Sequence, residues 1–345
     1  MKKTVLIAFL LLLQIFSIPV LHAQNEKTAY MLRLYEDNDF LNDMGRGTDE
    51  AYTNGTRIDL FYTGNHRSIL DRWMPRAGDS SINIYALSIV EMMYTPSDIV
   101  NDCYQPHDYS WAGALYTSHT LYSYNPQKKY DFQTEVLAGI MGPHAFAKPL
   151  QQTAHHLIDD PSIPQGWDNQ FGDDILLNIN FTAEQQLMHI GNYIELVGSG
   201  QVLAGTMTDA IDMSLLLRVG KMQPYFNGFI QQKTTGKKGG RVQVYFKVKP
   251  GVQLVAWNSM LEGGMFNQKP DVKVAEAITG NADTHGSEYM QQPVPTIENV
   301  VTYLSYGAVV AAGPLSISYT QTHTTELVKN TYSHTYGNIS VSYIW

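Results

Sequence analysis

A single cysteine, Cys103, stands among the 345 residues of this chain, so no internal disulfide can hold the fold together. Charge is sparse as well, at 16% of residues, beside an ordinary hydrophobic share of 44%. What charge there is sums to −9, and no basic patch exists to neutralise phosphates, which excludes nucleic acid as a partner. After residue 23 no apolar stretch of about 18 residues occurs, which excludes membrane-spanning helices. The chain carries no Gly-x-Ser-x-Gly elbow, no His-Glu-x-x-His and no paired-cysteine zinc pattern, so nothing points to a serine α/β-hydrolase or a zinc enzyme.

What is present begins with an export signature. Lys2 and Lys3, the apolar stretch from Val5 to Val20, and Leu21-His22-Ala23 before Gln24 have the anatomy of a signal peptide cleaved after Ala23. A membrane anchor is the competing reading, and Pro19 and the small residue at 23 suit cleavage better. Residues 24–345 are expected to form one domain. Tyrosine is abundant, with 22 copies, and segments of roughly ten residues, often alternating, recur between turns. Candidate strands fall near 29–38, 53–63, 82–93, 111–124, 129–140, 175–188, 191–203, 209–220, 241–258, 297–311, 313–323 and 336–345.

Twelve is an even number, as single-chain bacterial barrels require. In lipid such strands must close on themselves so that every backbone polar group is paired. The expected fold is all-β: a twelve-stranded antiparallel transmembrane β-barrel with a short helix in an extracellular loop. A soluble β-sandwich is the alternative on pattern alone. In the last strand Ile339, Val341, Tyr343 and Trp345 share one face, and Ser340, Ser342 and Ile344 the other. In the second, Ile58, Leu60 and Tyr62 oppose Arg57 and Asp59. With both termini periplasmic, the connections near 39–52, 94–110, 141–174, 204–208, 259–296 and 324–335 face outward, and most of them are long. The inward connections near 64–81 and 221–240 are longer than that rule prefers.

Three polar clusters fall on the expected outer side. The first joins Glu36-Asp37-Asn38-Asp39-Phe40 to Thr48-Asp49-Glu50-Ala51-Tyr52-Thr53-Asn54-Gly55. Counting by twos from Arg33 and from Arg57 puts Asp39 and Thr53 on the face turned away from lipid. Asn38, Asp39 and Thr53 then offer an amide carbonyl, a carboxylate and a hydroxyl, an all-oxygen set suited to a hard cation such as Ca²⁺. The same residue types are also the ordinary turn formers of any hairpin. The second cluster is Tyr94-Thr95-Pro96 with Asp108 to Gly113. The third runs from Gly142-Pro143-His144-Ala145 through Gln151 and His155 to Gly166-Trp167-Asp168-Asn169-Gln170. Between Lys148 and Ile158 the apolar spacing is helical, with Pro149 in the first turn. Gln151 and His155, four apart, share a face of that helix, and His156 points elsewhere. Histidine is the side chain best suited to take a proton near neutral pH. Either the helix is a solubilising segment with incidental polar residues, or His155 is a catalytic base.

In order and spacing the clusters resemble the outer-membrane lipid A 3′-O-deacylases. The resemblance rests on Asn38-Asp39, Tyr52-Thr53-Asn54-Gly55, Tyr94-Thr95-Pro96, Asp108 to Gly113, Gly142 to Ala145, Gln151/His155 and Gly166 to Gln170. It implies a Ca²⁺-dependent ester hydrolase acting on lipopolysaccharide among outer-membrane lipids, as a monomer, with its site on the extracellular side. Carried across, His155 takes the place of the catalytic histidine and Gln151 that of the glutamine before it. Asn38, Asp39 and Thr53 match the remaining site residues. Asp39 is left with two roles, metal ligand or orienter of the imidazole. Tyr109-Ser110-Trp111 replaces an Arg-Pro-Tyr of the family, and Ala147-Lys148 a Gly-Glu, which bears on substrate preference. The rival expectations are a passive barrel, either a small porin or a binding protein, and a phospholipid esterase using the same groups.

Overall fold

Alternation along each strand sets the architecture. In the computed structural model, residues 28–42, 49–64, 70–230, 242–267, 271–273, 289–291 and 295–345 are described, and the expected leader lies outside them. The strands are β1 (Tyr30–Asn38), β2 (Ala51–Tyr62), β3 (Ile82–Thr95), β4 (Ala112–Asn125), β5 (Tyr130–Met141), β6 (Asp174–Ile190) and β7 (Ile194–Gly205). There follow β8 (Thr208–Lys221), β9 (Gln243–Asn258), the short β10 (Asp271–Lys273) and β11 (Tyr289–Gln291), then β12 (Val300–Ala312), β13 (Leu315–Thr324) and β14 (His334–Ile344). All but β10 and β11, which pair only with each other, form one closed antiparallel barrel of twelve strands. Closure is made by β1 on β14, in register from Met31↔Ile344 to Asn38↔Gly337. The terminal Trp345 stacks on Tyr30 at 5.8 Å. The twelve expected strands are all present, most within two residues of their expected ends.

The wall sorts its side chains by chemistry. On β6, Ile175, Leu177 and Ile179 are exposed while Asn178, Asn180 and Thr182 are buried. On β8, Ile211, Met213 and Leu215 are exposed against buried Asp212 and Ser214. An apolar exterior around a polar interior is the inverse of a soluble protein and the pattern of a barrel in lipid. Inside, Asp59 is fully buried between Arg33 and Arg57, at 2.7 and 2.6 Å, and accepts a hydrogen bond from Ser88. Arg57 also reaches Glu135 at 3.2 Å. The charges of this cluster are thereby paired, as a low-dielectric interior requires.

Aromatic residues stop the interior at both ends. At the end with the short turns, the connection after β8 folds inward, and Phe226 and Ile230 are fully buried among Met31, Phe61, Ile84 and Tyr124. Phe229 meets the rings of Phe61 and Tyr122 at 4.8 and 5.4 Å. At the other end Tyr52 contacts Tyr94 and Tyr336 and donates to Asp37 at 3.0 Å. Between the two lies a polar chamber of about 560 Å³ lined by Arg33, Tyr35, Arg57, Tyr116, Glu135 and Lys249 among others. This arrangement opposes the porin alternative. In planar bilayers the protein is expected to show no steady conductance, and the double variant Phe226→Ala/Phe229→Ala to conduct; steady currents from the unaltered protein would contradict the plug.

Candidate active site

The site is assembled at the long-loop end, on the outer wall of β1 to β4. Asn38, the last residue of β1, caps a 3₁₀ turn (Asp39–Leu41), its side-chain oxygen accepting from the Phe40 N–H at 2.8 Å. That turn carries Asp39 out of the strand and buries it, with 3% of its surface exposed. Asp39 Oδ2 accepts from the Glu50 N–H at 2.9 Å, whereas Oδ1 is buried with no hydrogen-bond partner among the described residues. Burial first, and then the like charge of Asp49, push this carboxyl up to about 9.

Thr53 does not face the interior. A β-bulge between Tyr52 and Asn54 inserts it as an extra residue against β3. Tyr52 and Tyr94 turn inward, so Thr53 and Thr95, each next in its strand, turn to the outer wall and share a 2.7 Å hydrogen bond. Counting by twos fails here because a bulge reverses the count. Ala51, just before the bulge, has φ +55°, a left-handed conformation that costs a residue with a Cβ about 1–3 kcal/mol. On the same outer face Asn38 donates to Asn54 at 2.9 Å, and Asn54 donates to Glu91 at 3.2 Å.

The helix α1 (Ala147–Leu157) packs beside β3 and β4. It starts after Phe146, also left-handed at φ +64°, with Pro149 in the first turn, where a missing N–H leaves nothing unpaired. His155 and His156 occupy the last turn, favourable to the helix dipole. The helix approaches the wall at Gly113, where any Cβ would collide with Ala147. Its buried stripe is Ala147, Gln151 and His155, at intervals of one turn, while Leu150, Leu157 and Ile158 remain exposed. Gln151 accepts from the indole of Trp167 at 2.7 Å, and Trp167 lies 4.9 Å from Trp111. The Gly166 to Gln170 motif is thus a support for Gln151, whose amide nitrogen is buried without a partner among the described residues.

His155 Nε2 lies 2.6 Å from Asp49 Oδ2. Asp49, and not Asp39, is therefore the carboxylate that touches the imidazole. Asp39 stands one link further back, bonded to the backbone of Glu50 beside Asp49. The hydrogen bond to Asp49, which outweighs the opposing effect of burial, raises the His155 pKa above its ordinary value. Nδ1 is buried and has no hydrogen-bond partner among the described residues. Asp49 belongs to the first polar cluster of the sequence, but its pairing with His155 could not be read there, because it sits in an irregular loop with no period to fix its direction.

The remaining motif residues tie loops together. Asp108 accepts from Ser97 and from the Tyr332 hydroxyl at 2.9 Å, and Tyr109 is buried with its hydroxyl accepting from the Leu327 N–H at 3.1 Å. Where the family pattern has an arginine, this chain thus places a ring that joins two loops. The donor chemistry near Asp39 fits a hard cation: one orphaned carboxylate oxygen, a second carboxylate nearby, the oxygen of the preceding Asn38, and the hydroxyl of Thr53, which precedes the Asn54 paired with Asn38 across the ladder. No three His, Cys, Asp or Glu side chains converge at metal-binding spacing among the described residues, so such a site would draw largely on neutral oxygens.

Comparison with known proteins bears on the fold and the family. No curated protein sequence matches the chain. Among solved structures, LpxR from Salmonella typhimurium matches with a TM-score of 0.68 at 15% identity, covering 91% of this chain and 99% of that one. The β-domain of the Bordetella autotransporter BrkA covers 92% and 99% at 8% identity, with a TM-score of 0.42. The COG4313 outer membrane channel from Pseudomonas putida F1 has the same TM-score and identity over 94% and 97%. The family model described as outer membrane protein LpxR matches residues 5–345. The chain belongs to the LpxR family, the outer-membrane lipid A 3′-O-deacylases.

Proposed function

We propose that this protein hydrolyses the 3′-linked acyl ester of lipid A, with His155 as general base. The observation that carries the reading is the 2.6 Å pair of buried His155 and half-buried Asp49 on the outer wall, beside the exposed apolar side chains of Leu150, Leu157 and Ile158. A lipid ester reaches such a place sideways from the bilayer, its acyl chains lying against the apolar residues. The long-loop end faces the extracellular side, where lipid A resides.

Asp49 holds the imidazole by its Nε2–H, which leaves the lone pair on Nδ1. That nitrogen takes a proton from water, and the water oxygen bonds to the ester carbonyl carbon. The tetrahedral intermediate collapses by breaking the bond to the 3′ oxygen, and the imidazolium returns the proton to that oxygen. The products are a free fatty acid and a 3′-hydroxyl. The imidazolium formed on the way is held by the Asp49 carboxylate at Nε2. Asp39, Asn38 and Thr53 would hold Ca²⁺, which when bound supplies positive charge for the developing oxyanion. Gln151 fixes α1 through Trp167 and keeps His155 directed at Asp49.

The test is mass spectrometry of lipid A from a host with hexa-acylated lipid A that expresses the protein. The expected product lacks the 3′-linked chain, and unchanged lipid A beside folded protein with Ca²⁺ present would sink the reading. Offering purified enzyme lipid A and phospholipid together distinguishes the phospholipid esterase. Chelation by EGTA and, separately, Asp39→Asn are each expected to lower the initial rate on lipid A by about 10²-fold or more, in line with several kcal/mol from a metal at the oxyanion. Full activity in EGTA would remove Ca²⁺ from the scheme.

A further inference from the structure

The connection between β2 and β3 leaves the barrel end and returns along its outside. Tyr85, Leu87 and Ile89 share the outward face of β3, and His119, Leu121 and Ser123 that of β4. Leu87 and Ile89 are exposed, as lipid-facing residues are, yet Tyr85 and Leu121 are buried. Residues 70–78 cover them. Met74 packs on Tyr85 and Leu121, and the Ala77 N–H donates to Ser123 at 2.9 Å. The Ala77 carbonyl accepts from Asn125 and Tyr130 at 2.7 and 2.9 Å. Asp71, fully buried, meets His119 at 2.7 Å. This strap is fastened along its length.

Its outer surface does not match a strap that faces water. Trp73 is 83% exposed and Leu70 44% exposed, beside exposed Arg72. Arg76 donates to the Tyr85 hydroxyl at 3.2 Å. Neither arginine has a carboxylate partner among the described residues. An indole with two guanidiniums that meet no carboxylate, at the edge of an apolar belt, is the chemistry of the headgroup boundary, where tryptophan anchors and arginine forks grip phosphate.

We infer that the strap 70–78 is a docking surface for an anionic glycerophospholipid in the leaflet at the short-turn end, opposite the leaflet of the substrate. Arg72 and Arg76 take the phosphodiester, and Trp73 and Leu70 lie against the upper acyl chains. Bound there, the lipid fixes the height of the barrel and so the level at which the rim meets lipid A. The sidedness rests on the orientation proposed above; the lipid contact itself does not require deacylase activity.

The experiment uses the full protein in vesicles of phosphatidylethanolamine with phosphatidylglycerol, beside the variants Trp73→Phe and Arg72→Ala/Arg76→Ala. Barrel folding is checked by heat-modifiable gel mobility, and lipid A deacylation is measured on the same samples. The fluorescence lost in Trp73→Phe is expected to be quenched by phosphatidylglycerol brominated high on its chains and not by aqueous iodide. Phosphatidylglycerol retained after detergent extraction, read by native mass spectrometry, is expected to fall several-fold in the double arginine variant with deacylation retained. Quenching by iodide alone, equal retention in wild type and variant, or retention of lipopolysaccharide in place of phospholipid would each overturn the inference. Loss of deacylation in every sample, with phospholipid retention intact, would count against the proposed function and not against the strap.

Discussion

His155→Ala is expected to leave hexa-acylated lipid A intact in a host where the unaltered protein removes the 3′-linked chain. General-base action supplies roughly 10²–10⁴-fold, and the residue is the only imidazole in the buried stripe of α1. In a purified assay the variant is expected to lose at least about 10²-fold in kcat. Folding is expected to survive, because the barrel closes without α1 and the ring's ion-pair partner, Asp49, lies in a loop. His156→Ala, on the same helix but outside the buried stripe, serves as the matched control and is expected to keep full activity. Equal product from His155→Ala and the unaltered protein would require another base.

Asp49→Asn should be nearly as severe and diagnostic in another way. The amide preserves the shape and loses the charge, so the imidazole is held less firmly in the productive tautomer, a change that costs orders of magnitude in other His–Asp pairs. The pH profile provides the second readout. Asp49 raises the His155 pKa, so the base form, and with it kcat/KM, falls away on acidification through that raised value. Without the carboxylate the pKa moves down toward its ordinary value, and the acid limb shifts to lower pH while the plateau drops. The stability contribution has the matching sign: the pair favours the folded state below the unfolded histidine pKa and loses that effect as pH rises through the folded one. An acid limb that stays in place in Asp49→Asn would mean that Asp49 does not orient the imidazole. Asp39→Asn separates the roles of the two acids, since it leaves the 2.6 Å contact intact.

Much of the fold was legible because period-two alternation is a local property. Ile175, Leu177 and Ile179 against Asn178 and Asn180 announce a wall with lipid on one side and polar groups on the other. Gln151 and His155 could be paired from spacing alone, since helical geometry places residues four apart on one face. What could not be read is tertiary placement. The two connections that were too long for simple turns are the strap at 70–78 and the plug around 225–230; neither has a period, and each takes its form from the surface it lies on. Thr53 was assigned the wrong face because one inserted residue reverses every side chain before it. Asp49 was invisible as a partner of His155 because their meeting depends on how two loops close over one rim.

The stoppered interior has a consequence for the cell. Chemistry on the flank, as proposed, has no need of a lumen open to solutes, and among the described residues Phe226 and Ile230 lie fully buried across one end. A bacterium can therefore remodel its surface glycolipid with this protein at high copy without becoming permeable to bulky hydrophilic antibiotics.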